Sequence, residues 1–361
     1  MNRLEIIKYL LKKHENLILP KKTLQWLLED NNPPIRNLTT KFLQNKDLTE
    51  TEIKQVNSYP PISSLLSLLK PDGSWTDPKK PYKKYTGNYW QFIFLCDLNT
   101  NPDYEKVHKA AETIFSYQLP TGNFPHELGY KKGIQCLTAN LLRSFLHFGY
   151  EKDERVQKGI KLITNQIIDN NGATCIDLIT NLLPDCQMTL TKILAMYAHI
   201  DEKKGSSSIK KAIKIIEDKI VENRVFYYIP AGVKEYQKAI KGKKISQKRQ
   251  IKKQMLNQPE KMEKIGIKNS WRRFRFPNSY TSDALETLYW MAMSDIPNHS
   301  EFDIAINYVI ERMDRSGYWI NEINFRSPFL VEIEPKKSPS KWLTFRACFV
   351  LKKYRSLEFT S

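Results

Sequence analysis

The chain has 361 residues, 41% of them hydrophobic and 11% aromatic, with 13 Gly and 19 Pro. That balance excludes a disordered or fibrous polypeptide and supplies apolar surface for a large core. The net charge of +18 favours anionic partners, although a Lys-rich proteome produces the same figure with no partner.

Met1 to Leu11 carries Glu5 and Lys8 among Leu4, Ile7, Leu10 and Leu11, the rhythm of an amphipathic helix and not of a signal peptide. No run approaches the ~18 apolar residues of a membrane span, so a cytoplasmic protein is expected, in one version peripheral to the membrane. Residues 1–60 read as an N-terminal helical extension, with Asn32-Pro33-Pro34 ahead of a short helix. Residues 61–358 read as one domain of repeats. Pro71-Asp72-Gly73-Ser74-Trp75, Pro120-Thr121-Gly122-Asn123-Phe124, Asn170-Asn171-Gly172-Ala173-Thr174 and Arg315-Ser316-Gly317-Tyr318-Trp319 share a polar–Gly–aromatic or polar–Gly–small pattern. Their glycines step by 49, 50 and 145 residues, the last close to three periods. A fixed step of this size marks a repeat architecture.

Each turn is followed by a helix start, at Gly87-Asn88, Gln135-Cys136, Asp185-Cys186, Thr281-Ser282-Asp283 and Ser340-Lys341. Those helices are apolar, as in Leu137, Leu141, Leu142, Phe145 and Leu146. Their partners are amphipathic, as in Val156, Ile160, Ile163 and Ile167. The expected fold is therefore all-α: an α/α toroid of five or six helical hairpins on a repeat of about 50 residues. Residues 234–275 break the repeat. They hold 15 Lys and Arg against Glu235, Glu260 and Glu263, a local excess of +12, and read as a basic insertion.

The turn motifs resemble those of the terpenoid cyclase and protein prenyltransferase α/α-toroid superfamily. Trp26-Leu27-Leu28-Glu29, Tyr85-Thr86-Gly87-Asn88-Tyr89-Trp90, Cys136-Leu137-Thr138, Phe276-Pro277 and Lys341-Trp342-Leu343-Thr344-Phe345-Arg346 resemble a family of small prokaryotic prenyltransferase/squalene oxidase repeat proteins. The resemblance implies an isoprenoid or other apolar ligand inside the ring. It also implies aromatics on or beside inner helices as cavity walls: Tyr85, Tyr89, Trp90, Tyr280 and Trp342. Asp283, Lys341 and Arg346 are charged residues on helices expected to face inward, where Lys341 and Arg346 suit a diphosphate or carboxylate, the alternative being solvated helix ends. The D-x-D-D and D-D-x-x-D motifs of the superfamily's cyclases and synthases do not occur.

Cys136 and Cys186 stand 50 residues apart, one period, and Cys175 follows the turn between them. The period places the first two at matching heights on neighbouring helices. A three-sulfur set suits Zn²⁺. The resemblance implies Cys-His where this chain has Cys186-Gln187, so a fourth ligand falls to His126 or Asp185. The alternative is three buried thiols acting as small hydrophobes.

In the basic insertion, Lys243, Lys244, Lys248, Arg249, Lys252, Lys253, Arg272 and Arg273 suit an anionic membrane surface ahead of nucleic acid. Two functions stay open: an enzyme-like cyclase or prenyltransferase relative, and a non-enzymatic scaffold whose ring and basic arm hold a lipid, peptide or nucleic acid.

Overall fold

The computed structural model describes residues 16–175, 182–183, 185–200, 205–279, 281–322 and 328–360. It opens with β1 (Asn16–Leu19), α1 (Lys21–Leu27), α2 (Pro33–Phe42), α3 (Glu50–Gln55) and α4 (Pro60–Ser67). The repeats continue through α5 (Asn88–Asp97), α6 (Glu105–Phe115), α7 (Gln135–His147), α8 (Glu154–Asn170), α9 (Gln187–Tyr197) and α10 (Ser207–Glu222). A short ribbon of β2 (Tyr228–Pro230) and β3 (Lys264–Ile267) encloses α11 (Val233–Ala239), α12 (Ile245–Leu256) and α13 (Pro259–Met262). Then come α14 (Ala284–Met293), α15 (Asp303–Glu311), α16 (Lys341–Tyr354) and β4 (Ser356–Phe359).

Two burial patterns separate the helices into layers. On α6 the buried positions are Val107, Ala110, Ala111, Ile114 and Phe115, a single stripe of an outer helix with one face in water. On α5 every residue from Asn88 to Cys96 is buried, as a helix walled on both sides must be. The inner helices α5, α7, α9, α14, α16 and α2 contact one another in that order. Between α2 and α5 the circle closes through the turn Val56–Ser58 and α4. Outer helices α6, α8, α10 and α15 lie against this inner circle. The result is an all-α toroid of helical hairpins, as the period predicts.

The glycine turns tie one hairpin to the next. Gly73 has φ +79°, and a Cβ there would lie 2.5 Å from the Lys109 carbonyl oxygen on α6. Only glycine meets both demands. After each of three turns, an aromatic residue's backbone N–H is accepted by a side chain at the start of the inner helix. These pairs are Trp75 to Asn88 Oδ1 at 2.9 Å, Phe124 to Thr138 Oγ1 at 3.0 Å and Trp319 to Thr344 Oγ1 at 3.0 Å. Trp75 and Trp319 each donate Nε1 to a carbonyl ten residues earlier, Leu65 and Val309.

Residues 16–42 take the place of a hairpin in this circle. Gly317 abuts Thr23 and Pro20 of the N-terminal segment, as Gly73 abuts α6. Helix α2 packs on α16, and β1 pairs in parallel with β4 from Asn16↔Ser356 to Leu19↔Phe359. The first and last described segments are thus joined in one ring. The last part of the basic segment is also built into the core, since Trp271, Phe274 and Arg275 are buried. No helix among the described residues is long and apolar enough to cross a membrane.

Candidate functional site

All six inner helices, or the residue just after one, line a cavity of about 340 Å³, reached from the C-terminal halves of α2, α5, α7, α9 and α14 and from the first turns of α16. Its walls include Leu38 and Phe42 from α2, Tyr289, Trp290 and Met293 from α14, and Trp342 and Phe345 from α16. Trp342 stacks on Phe276, with ring centres 4.3 Å apart and planes at 4°.

The polar groups in this lining are unevenly charged. Arg143 and Asp97 form a buried ion pair, their side chains 5% and 7% exposed. Burial works against the Arg143 charge, but Asp97 beside it holds the guanidinium firmly protonated. The Arg143 Nε and the Trp290 Nε1 are buried donors with no acceptor among the described residues. Arg346 donates to Asn278 Oδ1 at 2.6 Å and lies 5.0 and 5.1 Å from the Phe276 and Tyr289 ring centres. That partner is neutral, and among the described residues Arg346 makes no ion pair, although the Asp283 and Glu334 carboxyls feel its charge. Lys41 lines the outer part. The cavity is therefore aromatic and apolar, with an excess of cations over its one carboxylate, Asp97.

Cys96, His147 and His199 also face this cavity, and their donor atoms all lie within 4.8 Å of one another. Burial pushes the imidazoles down to about 4 and about 3 respectively, so both are neutral. Burial pushes the Cys96 thiol up to about 11. None of the three is among the site residues expected from the sequence. The signal was nonetheless there: Cys96, His147 and His199 step by 51 and 52 residues, the same period that aligned Cys136 with Cys186.

Of the residues expected to contact a ligand, Trp342 and Arg346 line this cavity. Tyr89 instead packs against Tyr117 and Phe124, with centres 5.6 and 6.1 Å away. Tyr85 and Trp90 pack on each other, Tyr85 also meeting Phe329 and Trp90 meeting Tyr82. Asp283 caps α14 by accepting the Glu286 N–H at 2.9 Å, and its second oxygen takes Asn278 Nδ2 at 2.8 Å. Burial, then the charge of Glu286, raises its carboxyl to about 6. Lys341 is engaged by Glu29 at 2.9 Å and Asn31 at 2.6 Å. Tyr280 lies outside the described residues.

Cys136 and Cys175 each interact with Cys186. Cys175 hydrogen-bonds to Cys186, which draws the Cys186 thiol down to about 6 against the cost of burial. Cys136 is pushed up to about 12 by burial and then by the neighbouring Cys186. Lys252, from the basic segment, reaches the same place. Burial lowers its ammonium to about 8, while Asp185, Cys186 and Cys175 pull the other way. Asp185 is itself held by Lys219 at 3.2 Å. Among the described residues, the three sulfurs do not form a set within 4.8 Å, whereas Cys96, His147 and His199 do. A lysine ammonium near these thiols favours the thiolate form. His126 packs on Tyr130 and Tyr82, 4.4 and 6.2 Å between centres.

Lys243, Lys244, Arg249, Lys253, Arg272 and Arg273 are exposed, and Lys248 and Lys252 are half-buried.

No family model matches the chain, and no curated protein does either. Among solved structures, the type II terpene cyclase MstE from Scytonema is similar in its apo form, at 13% identity, covering 82% of this chain and 96% of that one, with a TM-score of 0.33. A variant of it with merosterolic acid A, its product, gives 15% identity, coverage of 85% and 99%, and a TM-score of 0.33. Another with geranylgeranyl dihydroxybenzoate, its substrate, gives 14%, 84% and 99%, and 0.32. The fold assignment here rests on the ring geometry described above.

Proposed function

We propose that this protein binds an elongated apolar ligand of the isoprenoid class, with an anionic end, in the central cavity of its ring. The observation that carries the reading is the cavity itself. All the inner helices border it, its walls are Trp290, Trp342, Tyr289, Phe345, Phe42 and Met293, and Arg346 stands inside it with a neutral partner. Its size is at the low end of small-molecule sites, roughly 300–1,000 Å³. Aromatic faces suit unsaturated hydrocarbon, and a guanidinium suits a carboxylate or diphosphate. Asp97 is ion-paired to Arg143, an arrangement better fitted to holding a ligand than to protonating one.

Titration with farnesol and farnesyl diphosphate, read by the emission of Trp290 and Trp342, tests this. Saturable binding is expected, tighter for the diphosphate, with Arg346→Gln removing the difference. No saturable signal with either compound contradicts the reading.

A second reading concerns the surface. Ile245 and Ile265 are 58% and 63% exposed in the segment that carries Lys243, Lys244 and Arg249. Apolar side chains among lysines fit an anionic lipid surface. Co-sedimentation with phosphatidylserine vesicles that falls when these three cations become Glu supports it. Unchanged co-sedimentation refutes it.

A further inference from the structure

Three successive inner helices each bring one metal-binding side chain to the same end of the cavity. Cys96 lies in the last turn of α5, His147 ends α7, and His199 lies two residues beyond α9. Their donor atoms are all within 4.8 Å of one another. Ligands around a single Zn²⁺ stand roughly 3.3–3.8 Å apart, given bonds of about 2.0 Å to nitrogen and 2.3 Å to sulfur. Small side-chain rotations close that gap.

Each imidazole is oriented by a backbone carbonyl. His147 Nε2 meets the Thr100 carbonyl oxygen at 2.9 Å, and His199 Nδ1 meets that of Ala195 at 2.9 Å. A carbonyl only accepts, so each of these nitrogens carries the proton. The other ring nitrogen, Nδ1 of His147 and Nε2 of His199, is then the unprotonated one, whose lone pair can bind a metal. This is the outer hydrogen bond that metal-bound histidines make. The C-terminal ends of α5, α7 and α9 also converge here, and helix C-termini favour a cation. Arg143 stands close enough to oppose positive charge on both imidazoles, and its ion pair with Asp97 offsets part of that repulsion.

We propose that Cys96 Sγ, His147 Nδ1 and His199 Nε2 bind one Zn²⁺ ion at the C-terminal end of the ring cavity, leaving a fourth position open toward the cavity. Three protein ligands with an open position are the pattern of zinc sites that meet a substrate or water. A thiolate with two imidazoles suits Zn²⁺ over Mg²⁺ or Ca²⁺. On binding, the Cys96 proton leaves to solvent and its sulfur coordinates as thiolate. The site is independent of which organic ligand the cavity takes.

Purified full-length protein, stripped with chelator and titrated with Co²⁺ and with Zn²⁺ against a chromogenic chelator, tests the assignment. One equivalent should bind, and Co²⁺ should show a thiolate charge-transfer band. Cys96→Ser should abolish the band. His147→Gln and His199→Gln should each weaken Zn²⁺ binding by more than the roughly 10–100-fold typical of losing an outer-sphere partner. The double variant Cys136→Ser/Cys186→Ser should bind as the parent does. Far-UV melting in chelator identifies any variant that fails to fold, and the two His→Gln variants serve if Cys96→Ser does. No binding at micromolar metal, or binding lost with Cys136 and Cys186 and kept without Cys96, overturns the proposal. Farnesol titration of the metal-free protein reads the cavity separately, so failure of one idea is distinguishable from failure of the other.

Discussion

Replacing Lys192 by Met probes how the inner ring holds buried charge. Lys192 on α9 donates to Glu286 on α14 at 2.6 Å, and the side chains are 2% and 4% exposed. Burial lowers the lysine's affinity for its proton, and Glu286 restores part of it. Beside this pair, Thr191 and Thr287 share a 3.0 Å hydroxyl contact between the same two helices. Lys192→Met keeps the aliphatic stem but strands the Glu286 carboxylate, whose Oε2 already has no partner among the described residues. Removing one member of a buried pair costs about 3–5 kcal/mol, because the other charge stays desolvated. Removing both, as Lys192→Met/Glu286→Leu, should recover most of that loss, since apolar replacement of a buried pair is often neutral or stabilising. Urea denaturation followed by circular dichroism gives the free energies. A single variant within about 1 kcal/mol of the parent, or a double variant no better than the single, would show that the pair is not desolvated as described.

Two further perturbations follow from the turns and the helix caps. Gly73→Ala should cost about 3 kcal/mol, from a strained φ of +79° and a Cβ against the Lys109 carbonyl. Gly129→Ala, at φ +86° with nothing within 4 Å, should cost only the backbone share of about 1 kcal/mol, and equal melting losses would contradict the packing argument. Asp283 titrates near 6 in the fold against 3.8 for the free group, so between those values the native state holds a proton that the unfolded chain lacks. Its contribution to stability therefore rises as pH falls from about 6 to 4. The parent minus Asp283→Asn should show a gain of roughly 2–3 kcal/mol over that window, and a flat difference would refute the burial of this acid.

The ring was legible because its punctuation is local. Gly73, Gly122 and Gly317 each combine a positive φ with a close approach to a neighbouring segment, and no other residue substitutes easily, so the period stands out. The N-terminal hairpin was not legible as part of the ring. Its docking depends on contacts such as Thr23 with Gly317 and β1 with β4, which are far apart in sequence and carry no local signature. The cavity lining was half legible for a related reason. Every residue of α5 from Asn88 to Cys96 is buried, so hydrophobicity cannot tell Tyr89, which faces the outer layer, from Cys96, which faces the cavity. Cys96, His147 and His199 form no short-range ligand motif such as C-x-x-C or H-x-x-x-H. Their separation by one period each carries the information that side-by-side spacing does not.

The proposed apolar ligand occupies the cavity that all six inner helices border. Ala198 lines that cavity at the end of α9, so Ala198→Phe takes up part of its volume while leaving Trp290, Trp342 and Arg346 in the sequence. Calorimetric titration with farnesyl diphosphate should give one site in the parent and at least about a tenfold weaker one in Ala198→Phe, in line with the 1–3 kcal/mol typical of overpacking. Equal affinity in parent and variant, with both folded, would place the ligand elsewhere and contradict the account.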